Sequence, residues 1–208
     1  MTNPSYPDAT LFMPLKTGNI WTFDYTKDSN AIRIVEGTKT FKVYKDTAMT
    51  FGADTFFLCS FDDNPDYFNA FNSFIIGNRP INKYTMYWYY FSSLIPLYDM
   101  KNFDSSASES ECFKYNALPF HPNVATAFYP GLRNIIVPYG NFKVFKSDIV
   151  RSESQTNPFI QNTKYTSSFY FTKNIGLVSF KDEIVSNDSL GNLFIIEKKY
   201  YLRSIDLK

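Results

Sequence analysis

The chain has 208 residues, and its 21 Lys and Arg against 20 Asp and Glu give a formal net charge of +1. A chain of this size can bury about 70% of its surface around one core without metal or disulfide staples, and a hydrophobic fraction of 44% argues against disorder. The near-zero net charge lacks the positive field on which nucleic-acid binding depends, so we expect no nucleic-acid partner.

Aromatic residues are unusually abundant. The 22 Phe, 16 Tyr and 2 Trp make up 19% of the chain. Large rings fit the half-buried, pleated surface of a sheet. The composition therefore favours a mainly β fold with large, rigid core side chains.

The first ten residues are polar and interrupted by two prolines, which predicts a flexible tether, residues 1–10, ahead of a single β domain, residues 11–208. Residues 1–15 hold no basic segment followed by an apolar one, so no signal peptide is recognised there. Either the protein is cytosolic, or Met1 replaces a removed export segment; a motif described below favours the second. No run approaches the ~20 apolar residues of a transmembrane helix.

Period-two alternation of apolar and polar residues dominates the chain and predicts strands. Trp21, Phe23 and Tyr25 alternate with polar residues, as in a strand with one solvated side. Further strands are predicted at Thr40–Lys45, Asp54–Phe61, Tyr84–Phe91, Phe142–Phe145 (where a change of phase indicates a bulge), Tyr165–Thr172, Gly176–Phe180 and Leu193–Ile205. The predicted fold is a single antiparallel, strongly curved sheet, a β-sandwich or a half-barrel, with at most one or two short helices.

One helix is predicted between Asn64 and Gly77. Asn64 suits the N-cap, Pro65 the first helical position and Gly77 the position after the end. Aromatic residues recur between them at three-to-four spacing. The alternative is a surface insertion between two strands. The segment Ala117–Gly131, with three prolines, is predicted to be a stiff loop.

The two cysteines leave two interpretations open. Cys59 lies in an apolar run and Cys112 follows a polar, serine-rich segment. A bridge between them would stabilise the fold by roughly 4 kcal/mol in a chain-entropy model. A plain buried thiol at Cys59 is the other interpretation.

The sequence offers little recognised catalytic chemistry. His121 is the single histidine, in a loop context, and one His with two Cys barely reaches the three or four ligands of a zinc site. The acidic run Asp62–Asp66 has oxygen ligands of the kind calcium prefers but lacks the spacing of a calcium loop, so a solvated turn is the simpler interpretation. We expect no metal and no cofactor.

The aromatic surplus is the best functional lead. Tyr84, Tyr87, Trp88, Tyr89 and Tyr90 cannot all face one way along a strand. Some of these rings therefore line a second surface, which is another core layer, a ligand groove or a partner contact. Rings with polar tips suit sugars or apolar cargo, so these five residues are the candidate ligand-binding residues.

Both ends of the chain resemble a known group. The segment Leu11–Phe23 contains Pro-Leu-Lys-x-Gly-Asn-x-Trp, and Phe169–Val178 places an aromatic strand before Ile-Gly-Leu-Val. These features resemble secreted lipoproteins of Bacteroidetes-type bacteria, a group whose function is poorly known. The resemblance implies an antiparallel β fold, export to the cell envelope, and contact with the membrane only through a lipidated cysteine absent from this chain. Residues 62–133 lie outside it.

The prediction that follows is a non-enzymatic extracytoplasmic module that binds apolar cargo or a glycan on an aromatic concave face. One alternative is a structural or assembly protein that recruits a protein partner through a sheet edge or an aromatic patch. The second is a hydrolase that uses carboxylates clustered in space, an arrangement that is tested by a distance rather than by a sequence motif.

Overall fold

The computed structural model describes residues 6–48, 55–61, 73–79, 82–90, 93–103, 107, 113–115, 124–153, 160–188 and 190–208. Within these ranges, twelve strands form one antiparallel sheet. In chain order they are β1 (Ile20–Ser29), β2 (Ile32–Ala48), β3 (Thr55–Phe61), β4 (Ser73–Arg79), β5 (Asn82–Tyr90), β6 (Ser93–Asp99), β7 (Phe113–Tyr115), β8 (Val124–Val137), β9 (Gly140–Glu153), β10 (Ile160–Thr172), β11 (Gly176–Asp188) and β12 (Leu193–Asp206).

The sheet consists of two meanders joined through the chain ends. Strands β1 to β6 follow one another outward on one side, and β7 to β12 do so on the other. The central pairing of β1 with β12 joins the two halves, with Trp21 opposite Ile205 and Tyr25 opposite Tyr200. Every other pairing between the described strands connects strands that are neighbours in sequence, so β1–β12 is the one long-range strand pairing described.

The sheet curves into a nearly closed, barrel-like shape. The edge strand β6 lies against β8 and β9: the Ser147 hydroxyl donates to the carbonyl of Leu97, and the Tyr98 ring lies 5.1 Å from that of Phe145. The predicted fold class, a single antiparallel and strongly curved sheet, is confirmed.

The concave face has two ends. The upper end is the one at which the β1–β2 and β11–β12 hairpins turn, and the lower end is closed by a 3-10 turn, Ala9–Phe12. Asp8 caps this turn by accepting a hydrogen bond from the Thr10 amide at 2.9 Å. Ala9 is buried and its carbonyl accepts from the Tyr98 hydroxyl at 2.9 Å. The last two residues of the predicted tether therefore lie in a packed turn.

The two terminal motifs meet at this lower end. The Trp21 indole donates to the carbonyl of Ile175 at 2.6 Å, and the Asn174 amide donates to the carbonyl of Leu11 at 2.6 Å. Gly176 adopts a φ of +92°, and a Cβ there would lie 3.3 Å from the Trp21 ring. Sequence features more than 150 residues apart thus form one packed corner.

Asn19 fixes the start of β1 within the same corner. Its side-chain amide donates to the carbonyl of Pro14 at 2.6 Å, and its side-chain oxygen accepts from the Lys208 amide at 2.8 Å. Its carbonyl accepts from the Val43 amide at 3.0 Å. These contacts give the motif residues a packing and turn role.

Two local predictions are wrong. The predicted helix ends inside β4, where Gly77 pairs with Phe56 in the ladder, because β-pairing with β3 and β5 overrides a weak helical pattern. Residues 64–72 of that prediction lie outside the described residues. The predicted loop gives way to β8 from Val124 onward, with Pro130 at a register shift, where a strand tolerates proline.

Cys59 is a free, buried thiol. It lies in β3, is fully buried and has a pKa raised far above its ordinary value by burial. This matches the interpretation of a plain buried thiol, which is chemically inert. The residues of the other predictions, Cys112, His121 and Asp62–Asp66, lie outside the described residues.

In the described part of the chain, no helix has the length and apolar character needed to cross a membrane.

A candidate binding site on the concave face

The lower half of the concave face is filled by aromatic side chains. Phe145, at 0% exposure, has the rings of Phe12, Tyr98, Phe128 and Phe171 within 5.5 Å of its own, measured between centroids. Offset and edge-on contacts of this kind are favourable beyond the area they bury. These aromatic residues on the lower part of the sheet therefore form core.

A row of rings marks the upper limit of this core. The ring row crosses four adjacent strands and consists of Tyr25, Tyr200, Phe180 and Phe169, with centroids 4.8–5.1 Å apart. Its members are directly opposite one another in the ladder. Above this row the character of the concave face changes.

The next concave positions of the same four strands are polar. This polar row, two residues further up each strand, consists of Lys27, Lys198, Asp182 and Ser167. All four side chains are half-buried. One step higher, an upper row of Ile196, Ile184 and Tyr165 returns to apolar and aromatic character. The polar row thus lies between two apolar rows on the concave face.

Asp182 is the centre of the polar row. The Ser167 hydroxyl donates to its carboxylate at 2.6 Å, and Lys198 is directly opposite it on β12. Burial raises the pKa of Asp182 above its ordinary value, although the Ser167 hydrogen bond and the charge of Lys198 oppose the rise. The carboxylate is therefore kept where its charged form is disfavoured.

Tyr165 supplies an aromatic surface next to this carboxylate. The ring is half-buried, and the Arg151 guanidinium carbon lies 4.2 Å from its centroid, a cation–π contact that fixes the ring. At the level of the polar row on β8, the hydroxyl of Thr126 is buried and has no hydrogen-bond partner within the described part of the chain.

The convex face at the same level carries a ladder of ion pairs. Arg33 contacts Asp28 at 2.5 Å, Lys199 contacts Glu197 at 2.8 Å, and Lys181 contacts the same Glu197 at 2.5 Å. Glu197 thereby bridges two lysines that are directly opposite each other in the ladder. The Glu197 carboxylate thus compensates the positive charges of Lys181 and Lys199 on two neighbouring strands.

This ladder predicts an acid-sensitive contribution to stability. The hydrogen bond from Lys181, followed by that from Lys199, lowers the pKa of Glu197 to about 2 from 4.5. A carboxyl with a lowered folded-state pKa stabilises the fold above its unfolded-state pKa and loses this contribution as pH falls through its folded-state value. We expect Glu197→Gln to lower stability at pH 7 and to flatten its decline between pH 4.5 and 2, measured by urea unfolding. Glu36→Gln, at an exposed position, is the control; an equally flattened curve there would contradict the assignment.

The residues that the sequence favoured for ligand binding lie elsewhere, on β5. The Tyr84 ring lies at the lower end, 5.7 Å edge-on from that of Tyr6 and 5.6 Å below the ammonium of Lys101. Tyr87 is half-buried. Trp88, Tyr89 and Tyr90 belong to β5, but their side chains are outside the described part of the structure. β5 is not among the strands that carry the polar row.

The described side chains also bear on two further activities considered from the sequence, glycoside hydrolysis and metal binding. Among the concave side chains that the structure describes at and above the ring row on β1 and β8–β12, Asp182 is the one carboxylate, whereas glycoside hydrolysis requires two. Among the described residues, no three His, Cys, Asp or Glu side chains gather in a way that could hold a metal ion.

Comparison with known proteins gives two structural likenesses. A Bacteroides fragilis protein, described as a "putative exported protein with YmcC-like fold", matches 95% of this chain and 99% of its own with 11% identity and a TM-score of 0.47. A Parabacteroides distasonis protein, described as a "putative lipoprotein", matches 96% and 100% with 11% identity and a TM-score of 0.48. At this identity and with TM-scores below 0.5, neither likeness bears on function. No family model and no curated protein matches the chain.

Proposed function

We propose that this protein is a non-catalytic, extracytoplasmic module that binds a saccharide at the polar row of its concave face. The observation that carries the proposal is the half-buried carboxylate of Asp182, which accepts from the Ser167 hydroxyl at 2.6 Å and lies between two apolar rows of the concave face; burial there raises its pKa. Perturbed carboxyl groups of this kind concentrate at functional sites. The place of Asp182 between Lys198 and Ser167 on the concave face supports a role in binding a polar ligand.

The arrangement of the three rows favours a saccharide over apolar cargo. A sugar ring presents hydroxyl groups at its edge and C–H groups on its faces. The carboxylate of Asp182 and the hydroxyl of Ser167 suit the hydroxyl groups, and the ring of Tyr165 suits an apolar face. Apolar cargo would need the lower half of the concavity, which the core rings fill. The rings of β5, Tyr84 and Tyr87 among them, remain the second candidate location.

Export is proposed from the resemblance of both chain ends to secreted lipoproteins. The motif residues are packed against each other through the Trp21–Ile175 hydrogen bond, so the two halves of the resemblance belong to one structural feature. The genomic sequence upstream of Met1 tests this: a signal segment with a lipidation cysteine supports export, and an in-frame stop directly upstream contradicts it.

The binding proposal is tested by Asp182→Asn. Asn keeps an acceptor for Ser167 but removes the charge, so we expect saccharide binding to weaken about tenfold, because hydrogen bonds to a charged acceptor are the stronger ones. The measurement is binding of labelled protein to a printed array of neutral and acidic oligosaccharides, with Asp206→Asn, exposed near the C-terminus, as the matched control.

We expect the same substitution, Asp182→Asn, to raise the stability of the protein while it weakens binding. A carboxyl whose folded-state pKa is raised lowers stability once the pH exceeds its unfolded-state value of 3.8. Asp182→Asn should therefore be more stable than the parent at pH 7 and equal to it near pH 3 in urea unfolding. A parent protein that binds no saccharide on the array, or an Asp182→Asn protein that is less stable and binds unchanged, would contradict the proposal.

A further inference from the structure

Lys27 and Lys198 form a like-charge pair in the middle of the proposed site. They are directly opposite each other on β1 and β12 and both point to the concave side, since they follow Tyr25 and Tyr200 of the ring row by two residues. Like charges opposite each other across two strands are destabilising. An anion placed between the two ammonium groups would relieve this repulsion.

The convex face of the same sheet shows how such a pair is compensated. Lys199 and Lys181 are also directly opposite each other, and Glu197, two residues along β12, contacts their ammonium groups at 2.8 and 2.5 Å. On the concave side, the position two residues along β12 in the same direction holds Ile196, and Tyr200 lies in the other direction. Neither supplies a carboxylate.

The described side chains of the polar row carry an excess of positive charge, since Lys27 and Lys198 are both cationic. Asp182 is the one carboxylate described among them and is opposite Lys198, not Lys27. Positive charge on the walls of a concavity concentrates its field and favours an anionic occupant.

We propose that the bound saccharide is acidic, and that a carboxylate of one of its uronic acid units lies between Lys27 and Lys198, as that of Glu197 does between Lys199 and Lys181. This inference rests on the proposed function. Asp182 and Ser167 then hold hydroxyl groups of the same ligand, and the lysine pair selects its charge. Within the polar row, Lys198, Asp182 and Ser167 have one another as partners. The carboxylate next to Lys27 is then supplied by the ligand.

The test compares hexagalacturonate with its fully methyl-esterified form, which has the same sugar and length without the charge. By titration calorimetry, we expect the acid to bind about tenfold or more tightly than the ester, and its affinity to fall as sodium chloride is raised. Lys27→Gln and Lys198→Gln should each weaken binding of the acid by about five- to tenfold and leave binding of the ester unchanged. Because Lys27 is opposite Lys198 and not opposite Asp182, Lys27→Gln removes a like-charge contact and should not lower the thermal midpoint.

Lys143→Gln is the matched control, since Lys143 is an exposed β9 residue roughly 27 Å along the strand from Arg151, at about 3.4 Å per residue. Equal weakening by Lys143→Gln, or equally tight binding of a single-stranded oligonucleotide, would overturn the inference in favour of non-specific charge attraction. If the ester binds as tightly as the acid, and Asp182→Asn weakens both, the inference fails and the proposed function stands. If neither saccharide binds, both fail.

Discussion

Phe145→Ala is expected to cost about 3–5 kcal/mol of the free energy of unfolding, the range for deleting a fully buried aromatic side chain. Phe145 is completely buried, and four other rings surround it, among them Phe12 from the 3-10 turn and Tyr98 from the edge strand β6. Its removal leaves a cavity at the point where the turn, β6 and β9 meet. The loss should therefore loosen the closure of the curved sheet as well as its core.

Urea unfolding of Phe145→Ala and of a control, Tyr139→Ala, measures this effect. Tyr139 is 44% exposed in the β8–β9 turn, and its removal should cost no more than about 1 kcal/mol. Similar losses for the two variants would contradict the assignment of Phe145 as the centre of the core.

Gly176→Ala is expected to have the second-largest effect, a loss of about 2–4 kcal/mol from backbone strain and overpacking together. Gly176 has a φ of +92°, and an added Cβ would lie 3.1 Å from Pro14, 3.3 Å from Trp21 and 3.4 Å from Met13. The new methyl group would push the two terminal motifs apart at the corner where the Trp21 indole bonds to Ile175.

Variants at two other glycines distinguish the two causes of this loss, backbone strain and overpacking. Gly191 has a φ of +82° with nothing within 4 Å of an added Cβ, and Gly37 has open space and no left-handed φ. We expect Gly191→Ala to lose about 1 kcal/mol through strain alone, and Gly37→Ala to be neutral or slightly stabilising. A loss at Gly176 no greater than that at Gly191 would show that the corner is loosely packed.

The fold class was predictable from the sequence because apolar and polar residues alternate in strands that have one apolar face. Trp21, Phe23 and Tyr25 are buried while the residues between them are half-buried, as the pattern requires. The hairpin between β11 and β12 was also predictable, since its turn residues favour loops. In each case local chemistry and tertiary packing agree.

β4 was not predictable from local chemistry. Asn64, Pro65 and Gly77 match the start and end preferences of a helix, but Gly77 lies in the middle of a ladder between Phe56 and Tyr87. Pairing on both sides of β4 outweighs propensities worth less than about 1 kcal/mol per residue. The same holds for β8, in which a proline occupies a register shift.

The candidate site depends on register, which the sequence does not state. Lys27, Asp182 and Lys198 are scattered along the chain, and each is an unremarkable charged residue of an alternating strand. They meet because β1 pairs with β12 and β12 with β11 at particular positions.

Amide chemical-shift mapping during a titration with hexagalacturonate shows where on the sheet the saccharide binds. If the ligand binds at the polar row, the largest shifts will fall on the upper halves of β1, β10, β11 and β12, around Lys27, Ser167, Asp182 and Lys198. Shifts confined to β5 around Tyr84 and Tyr87, shifts on the convex ladder, or no shifts at all would contradict a concave-face binding site on these four strands.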